Sequence, residues 1–143
     1  MSTAVRRALY GRLASDTTLV GMLAPPPTGY AKAIYHEQAP QNAQFPLVIF
    51  SRSSGVPTDT FGEPGALDTD VWLVKAIDDE HSSDNAEAIA SRVQQLLNDA
   101  TLSISGANHL YLRRESDVEY AEVAQGVEYR HHGSLYRLVI EPS

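Results

Sequence analysis

The chain has 143 residues, 43% of them hydrophobic and 20% charged, with a formal net charge of −7 and no cysteine. That length suits one domain, 1–143, with a core of its own, and leaves little for a second. The missing cysteines exclude disulfides, thiolate metal sites and a cysteine nucleophile, and fit a reducing compartment. The acidic balance, with an isoelectric point near 5.1, argues against general nucleic-acid binding but not against a protein past which DNA slides.

Two arginines follow the N-terminus without the apolar stretch of a secretory signal. No apolar run approaches the roughly 18 residues of a membrane span.

In chain order, Ser2 or Thr3 can cap a first helix whose Val5, Leu9 and Leu13 recur on one face, with Arg6, Arg7 and Arg12 off that stripe. Asp16 can cap a short second helix from Thr17 to Leu23. Pro25-Pro26-Pro27 stops it, since proline lacks the backbone N–H that a helix interior needs. Ala33 to His36 reads as a short strand and the stretch around Pro40 as loop. Phe45 to Ser51 reads as a second strand, with Pro46 at its start because proline cannot donate to a ladder. Its run FPLVIF is apolar without alternation, which predicts burial on both faces.

Ser53 to Ala66, SSGVPTDTFGEPGA, is aperiodic and full of turn residues, and reads as a mobile functional loop at about 53–66. Asp68 to Ile77 alternates as a strand, with Trp72, Val74 and Ala76 on one face and Val71, Leu73 and Ile77 on the other. Ser82 or Ser83 can cap the longest helix, to about Asn98, with Asp84 and Glu87 suiting its N-terminal dipole. Ala86, Ile89, Ala90, Val93, Leu96 and Leu97 form its apolar stripe. Strands follow at Thr101 to Ser105, Asn108 to Arg114, Glu119 to Val123 and Gly126 to Ile140, with a turn or bulge at His132-Gly133-Ser134. The fold class is α+β: a mostly antiparallel sheet with two N-terminal helices and one long helix packed on it.

No motif carries chemistry. His131 and His132 are adjacent, so on a strand they point to opposite faces and cannot easily chelate one ion. Asp78-Asp79-Glu80 and Asp68-x-Asp70 lack a calcium loop's geometry. His81-Ser82-Ser83-Asp84 has a triad's residue types, but triads are assembled from separate parts of a chain. Gly55, Gly62 and Gly65 match no phosphate-cradling loop. Catalytic, cofactor and metal residues are therefore expected to be none. The most unusual charge feature is Glu115-x-Asp117-x-Glu119, which in an extended chain places three acids on one face. Such a row suits a solvated sheet face or a surface that repels phosphates.

As an ordered set, the segments resemble the tail terminator family (tail completion, or tail-to-head joining) of long-tailed bacteriophages. VRRALYGRLASDTTLVGML resembles its opening helix pair, and AIYHEQAPQNAQFPLVIFSRSSG its next strand, proline loop and strand. The Trp72 strand, the helix at Asn85 to Ala90 and the closing Glu128 to Ile140 are similar to the blocks that follow. Ser53 to Ala66 matches no family pattern.

The resemblance implies a structural virion protein rather than an enzyme. Such proteins form a ring, usually of six copies, that caps the tail tube and ends its polymerisation. The ring then meets the head connector and leaves a channel for DNA, which passes without specific binding. The partners would be other copies of the chain, the tube protein and the head-completion or connector protein, with no membrane. Its place would be the head-proximal end of the virion tail, after assembly in the host cytoplasm. On that reading Thr58, Phe61 and Glu63 would contact tube or connector, and Glu115, Asp117 and Glu119 would face the channel. Arg6, Arg7 and Arg12 would pair with a neighbouring subunit. Two other readings stand beside it: another tail or neck component, such as a tube or head-completion protein, and a small bacterial enzyme or ligand-binding domain.

Overall fold

A computed structural model describes residues 2–60 and 63–142, and the side chains of these outside 58–65. The elements run α1 (Ser2–Ala14), α2 (Thr17–Gly21), β1 (Ile34–His36), β2 (Leu47–Thr60), β3 (Glu63–Asp78), α3 (Asp84–Leu97), β4 (Ala107–Ala124) and β5 (Val127–Pro142). The strands form one five-stranded sheet in the order β1-β2-β3-β5-β4. Only β1–β2 is parallel, and the other three pairings are antiparallel. The α+β class expected from the sequence is the class observed.

The helices lie on one face of the sheet. Val5, Leu9 and Leu13 of α1 and Ala86, Ile89, Val93 and Leu97 of α3 bury against Phe50, Trp72, Val74, Tyr136 and Leu138. Asp16 caps α2 by accepting from Leu19 N–H at 2.8 Å, as its position suggests. The same carboxylate takes two bonds from the Arg92 guanidinium, at 2.9 and 2.7 Å, and so ties the α1–α2 corner to α3. This pairing holds Asp16 below the usual carboxylate range.

The unalternating FPLVIF run is buried on both faces. Val48 and Phe50 enter the main core. Leu47 and half-buried Ile49 turn the other way, where Ala33, Tyr35 and Ile77 form a second cluster. Ala39, Ala43 and Phe45, from the proline-bearing loop and its exit, together with Tyr129, close that cluster. The stiff loop ahead of β2 is thus a lid over the strand it introduces.

Four readings differ from the structure. Most of 53–66 is ladder: β2 and β3 continue as an antiparallel ribbon, with Thr58 opposite Leu67 and Thr60 opposite Glu63. Turn residues masked a ribbon whose strands gain hydrogen bonds mainly from each other. Thr101 to Ser105 is unpaired chain with Leu102 and Ile104 buried. Their alternation mimics a strand, but it arises from seating two side chains in the core. The segments 108–114 and 119–123 are one continuous strand, carried through by bulges at His109/Tyr111 and Arg114/Ser116. The expected break at Gly133 is also absent, since β5 runs straight through it opposite Lys75. Glycine is needed there because a Cβ would stand 2.2 Å from the Val74 carbonyl oxygen.

Candidate assembly surfaces

The sheet's two outer strands differ. β1 is three residues long and lies beside α1. Between them opens a groove of about 330 Å³ lined by Arg6, Arg7, Tyr10, Ile34, His36 and Phe50. His36 and Phe50 rings sit 5.4 Å apart on its floor. Arg6 and Arg7 have no ion-pair partner among the described residues, because both lie off the apolar stripe that docks α1. Arg12 is used inside the molecule instead. Its Nε donates to the Leu96 carbonyl at 2.9 Å, satisfying the C-terminal end of α3, which carries no basic residue in its last turn.

β4 is the opposite edge, 18 residues long and exposed over most of its length. The bulge at Glu115 breaks the expected row of acids. Asp117 accepts from the Ser134 hydroxyl at 2.9 Å and from Arg114 at 2.8 Å, on the face that carries the helices. Those two partners hold its carboxyl below the usual range, Ser134 foremost. Glu119 lies on the same side, 3.8 Å from His132 Nδ1. Glu115 instead bonds to Arg137, which alternates with core residues Tyr136 and Leu138 and so lies on the other face. One extra residue in the strand re-aims every side chain beyond it.

Asp117 and Glu119 border a polar groove of about 160 Å³ between β4 and α3. Glu87, Ser91 and Gln94 of α3 form its other wall, at the i, i+4, i+7 spacing of one helix face. Sequence reasoning assigned Glu87 only to the helix dipole; the polar spacing that continues from it marks the groove.

A second cluster was invisible in the sequence because cross-strand register builds it. On the face away from the helices, the Tyr120 and His131 rings stack at 4.3 Å, and Lys75 Nζ donates to the Tyr120 hydroxyl at 2.8 Å. His131 Nε2 meets Glu122 at 2.9 Å. Burial pushes this imidazole below the ordinary histidine range, against the pull of Glu122. His131 and His132 do point to opposite faces. Among the described residues no group of three His, Asp or Glu side chains is placed to hold a metal ion, and no helix is long and apolar enough to cross a membrane.

Of the residues expected to touch tube or connector, Phe61 lies outside the described residues. Thr58 and Glu63 belong to the β2–β3 ribbon, and their side chains are likewise outside the description.

The described surfaces are thus an α+β sheet with helices on one face, unlike outer strands and a β2–β3 ribbon that continues past the rest of the sheet. The family described as tail completion protein gp17 matches residues 7–140, and the chain belongs to it. It is therefore a structural protein of the bacteriophage tail. The fold is shared with a chain from the virion of a native gene transfer agent particle. That likeness has 20% identity and a TM-score of 0.72, covering 98% of this chain and 96% of that one. A second solved structure is similar at 16% identity and a TM-score of 0.56, covering 97% and 95% of the two chains. Among curated proteins none gives a significant match.

Proposed function

We propose that the chain forms a ring, of six copies, that caps the tail tube, ends its polymerisation and joins the tail to the head connector. DNA passes through the channel without being specifically bound. The ring sits at the head-proximal end of the virion tail and is assembled in the host cytoplasm. Family membership supports a tail role, and the unlike sheet edges carry the ring reading. A short β1 with an unpaired cationic groove faces one way, and a long, exposed β4 faces the other. Unlike edges favour heterologous, head-to-tail contacts, which close into rings when the rotation allows. Closure would also cover β4, which otherwise presents unpaired backbone groups.

On this reading Arg6 and Arg7 contact the neighbouring subunit, whereas Arg12 holds α1 to α3. The channel-facing role stays with Glu115, on the face away from the helices; Asp117 and Glu119 leave that row. The chain's net charge of −7 suits a lumen that must not grip phosphates. Thr58 and Glu63 of the β2–β3 ribbon, with Phe61 between them in sequence, contact tube or connector.

The test is the mass of the purified protein by light scattering across a concentration range, with negative-stain images of the same sample, alone and with purified tail tubes. Closed rings, free or seated on tube ends, are expected. Long tubes of this chain alone would make it a tube protein, and absence of rings in both samples would overturn the proposal.

A further inference from the structure

The two grooves described above have opposite charge, and the sheet register sets them at the same height. Ile34 of β1 is level, through Val48, Ala76 and His132, with Glu119 of β4. His36 is level, through Phe50, Val74 and Ser134, with Asp117. Both grooves open on the helix-bearing face, one between α1 and β1, the other between α3 and β4. Four strand spacings separate them, about 19 Å. That exceeds the reach of side chains and the Debye length of about 8 Å at physiological salt, so the two sets cannot satisfy each other within one copy.

We infer that the occupant of each groove is the other groove's wall on a second copy of this chain: Arg6 and Arg7 of one copy lie against Glu87 and Glu119 of the next. The inference rests on the ring reading and names the surface that makes it.

First, the charges complement. Arg6 and Arg7 have no ion-pair partner among the described residues, and Glu87 has none either. Among the described residues Glu119 has only His132 at 3.8 Å, a partner charged only when protonated. Asp117, by contrast, is engaged by Arg114 and Ser134, so it shapes the groove wall instead of reaching out. Second, the positions are heterologous. The cations sit at one outer strand and the acids at the other, so each contact leaves one free groove of each sign to continue the chain of copies. Third, the equal height matters. A neighbour placed by rotation about an axis roughly parallel to the strands meets its partner without sliding along them, as a closed ring requires and an open helix does not.

The aromatic floor of the cationic groove adds apolar area under the charges. His36, Phe50 and Tyr10 would pack against the neighbour's exposed edge, while the ion pairs fix register and choice of partner. Opposed charges at an interface act mainly in that way.

The test uses three variants of the full chain: R6E/R7E, E87K/E119K, and the fourfold swap combining them. Each is checked for native circular dichroism before its assembly is measured. At low salt each one-sided reversal should raise the dissociation constant of the assembly about a hundredfold, the order expected when like charges are set face to face. The fourfold swap should restore rings. Since the chain has no cysteine, single variants Arg7→Cys and Glu87→Cys can also be mixed and oxidised. A covalent dimer should form in the mixture and not from either alone.

Rings that survive every one-sided reversal, with no cross-link in the mixture, would overturn this interface while leaving the ring reading intact. A wild-type chain that forms no ring, in solution or on tail tubes, would overturn the ring reading and the interface with it.

Discussion

Two long hairpins leave the sheet at opposite ends, and they are built differently. The β4–β5 hairpin extends past the last β3 contact, Asp78 opposite Arg130, and turns through Gln125 and Gly126, both with positive φ. That two-residue turn matches the twist of the strands it joins. The hairpin is held back onto the body by side chains. Tyr129 packs on Phe45 with centroids 5.0 Å apart, Tyr120 stacks on His131, and Glu122 meets the same ring.

The β2–β3 ribbon extends past Asp68, the last β3 residue opposite β5. Its root is braced by Arg52, whose guanidinium crosses Gly55 to reach Asp70 at 3.0 Å, while Trp72 Nε1 donates to the same carboxylate at 3.3 Å. Beyond Asp68 the described backbone pairs only within the ribbon. One hairpin is an extension of the core; the other is a projection whose form serves whatever it meets. On the proposed function, the contrast locates stability in the first and contact in the second.

The largest effect should come from the residue that anchors the projection's root. Trp72 is fully buried between α1, α3 and the sheet, so Trp72→Ala should cost about 3–5 kcal/mol, read as a lowered denaturant midpoint. A cost below about 1 kcal/mol would mean that the root is not a core site. Next comes the brace of the β4–β5 hairpin. Tyr120→Ala removes the stack on His131 and the Lys75 bond and should cost about 1 kcal/mol. It should also raise amide exchange in the β4–β5 turn but not in β2–β3. Equal loosening of both hairpins would erase the distinction between them.

The difference between the hairpins was only partly legible in the sequence. The helices were legible because their apolar stripes have one period and clear stop signals: Asp16 at the start of α2, the triple proline after it, and the acids opening α3. The doubly buried start of β2 was legible because FPLVIF does not alternate. The ribbon was hidden because Gly55, Pro57 and the residues after it carry turn chemistry, and a two-stranded ribbon needs no buried face to report itself. The broken acid row was hidden for another reason. A bulge changes the side-chain period without leaving a residue signature, so Glu115 and Asp117 look equivalent until the register with Arg137 and Ser134 is known. The grooves lay further from view still, since each joins segments about 25 to 45 positions apart that only the fold brings together.

His131 offers a smaller, graded test. Its folded pKa lies below the ordinary 6.5 because burial disfavours the imidazolium. The unfolded chain then binds the proton more readily between 6.5 and that lowered value. Stability contributed by keeping the ring neutral is complete above 6.5 and is lost as pH falls towards the folded pKa. His109, also lowered by burial, adds in the same direction. The wild-type denaturant midpoint should therefore fall as pH drops from about 7.5 to about 5.5, and His131→Gln should flatten that slope. The loss should be accompanied by faster exchange around Tyr120 and Glu122, the residues touching the ring. A slope unchanged by the substitution would show that His131 does not couple the hairpin to pH.

The smallest effect on stability, and the most telling for function, should follow from shortening the projection. Replacing residues 58–67 with a two-residue Asn-Gly turn removes backbone that pairs only within the ribbon and leaves the Arg52–Asp70–Trp72 root in place. The denaturant midpoint should shift by no more than about 0.5 kcal/mol, as for surface changes that touch no packed feature. The ribbon should also be the more mobile hairpin in the free protein, with amide exchange in 56–60 and 63–67 faster than across the β4–β5 ladder. Tail joining, read as the yield of complete virions, should nonetheless fall steeply. The two readouts are tied by one physical point. An element that contributes little to its own fold has to be explained by something outside it, and on the proposed function that is the tube or the connector. Normal virions from the shortened chain would remove that explanation and leave the grooved edges as the protein's contact surfaces. A large loss of stability would show the reverse, that the ribbon helps hold the sheet and the two hairpins differ only in length.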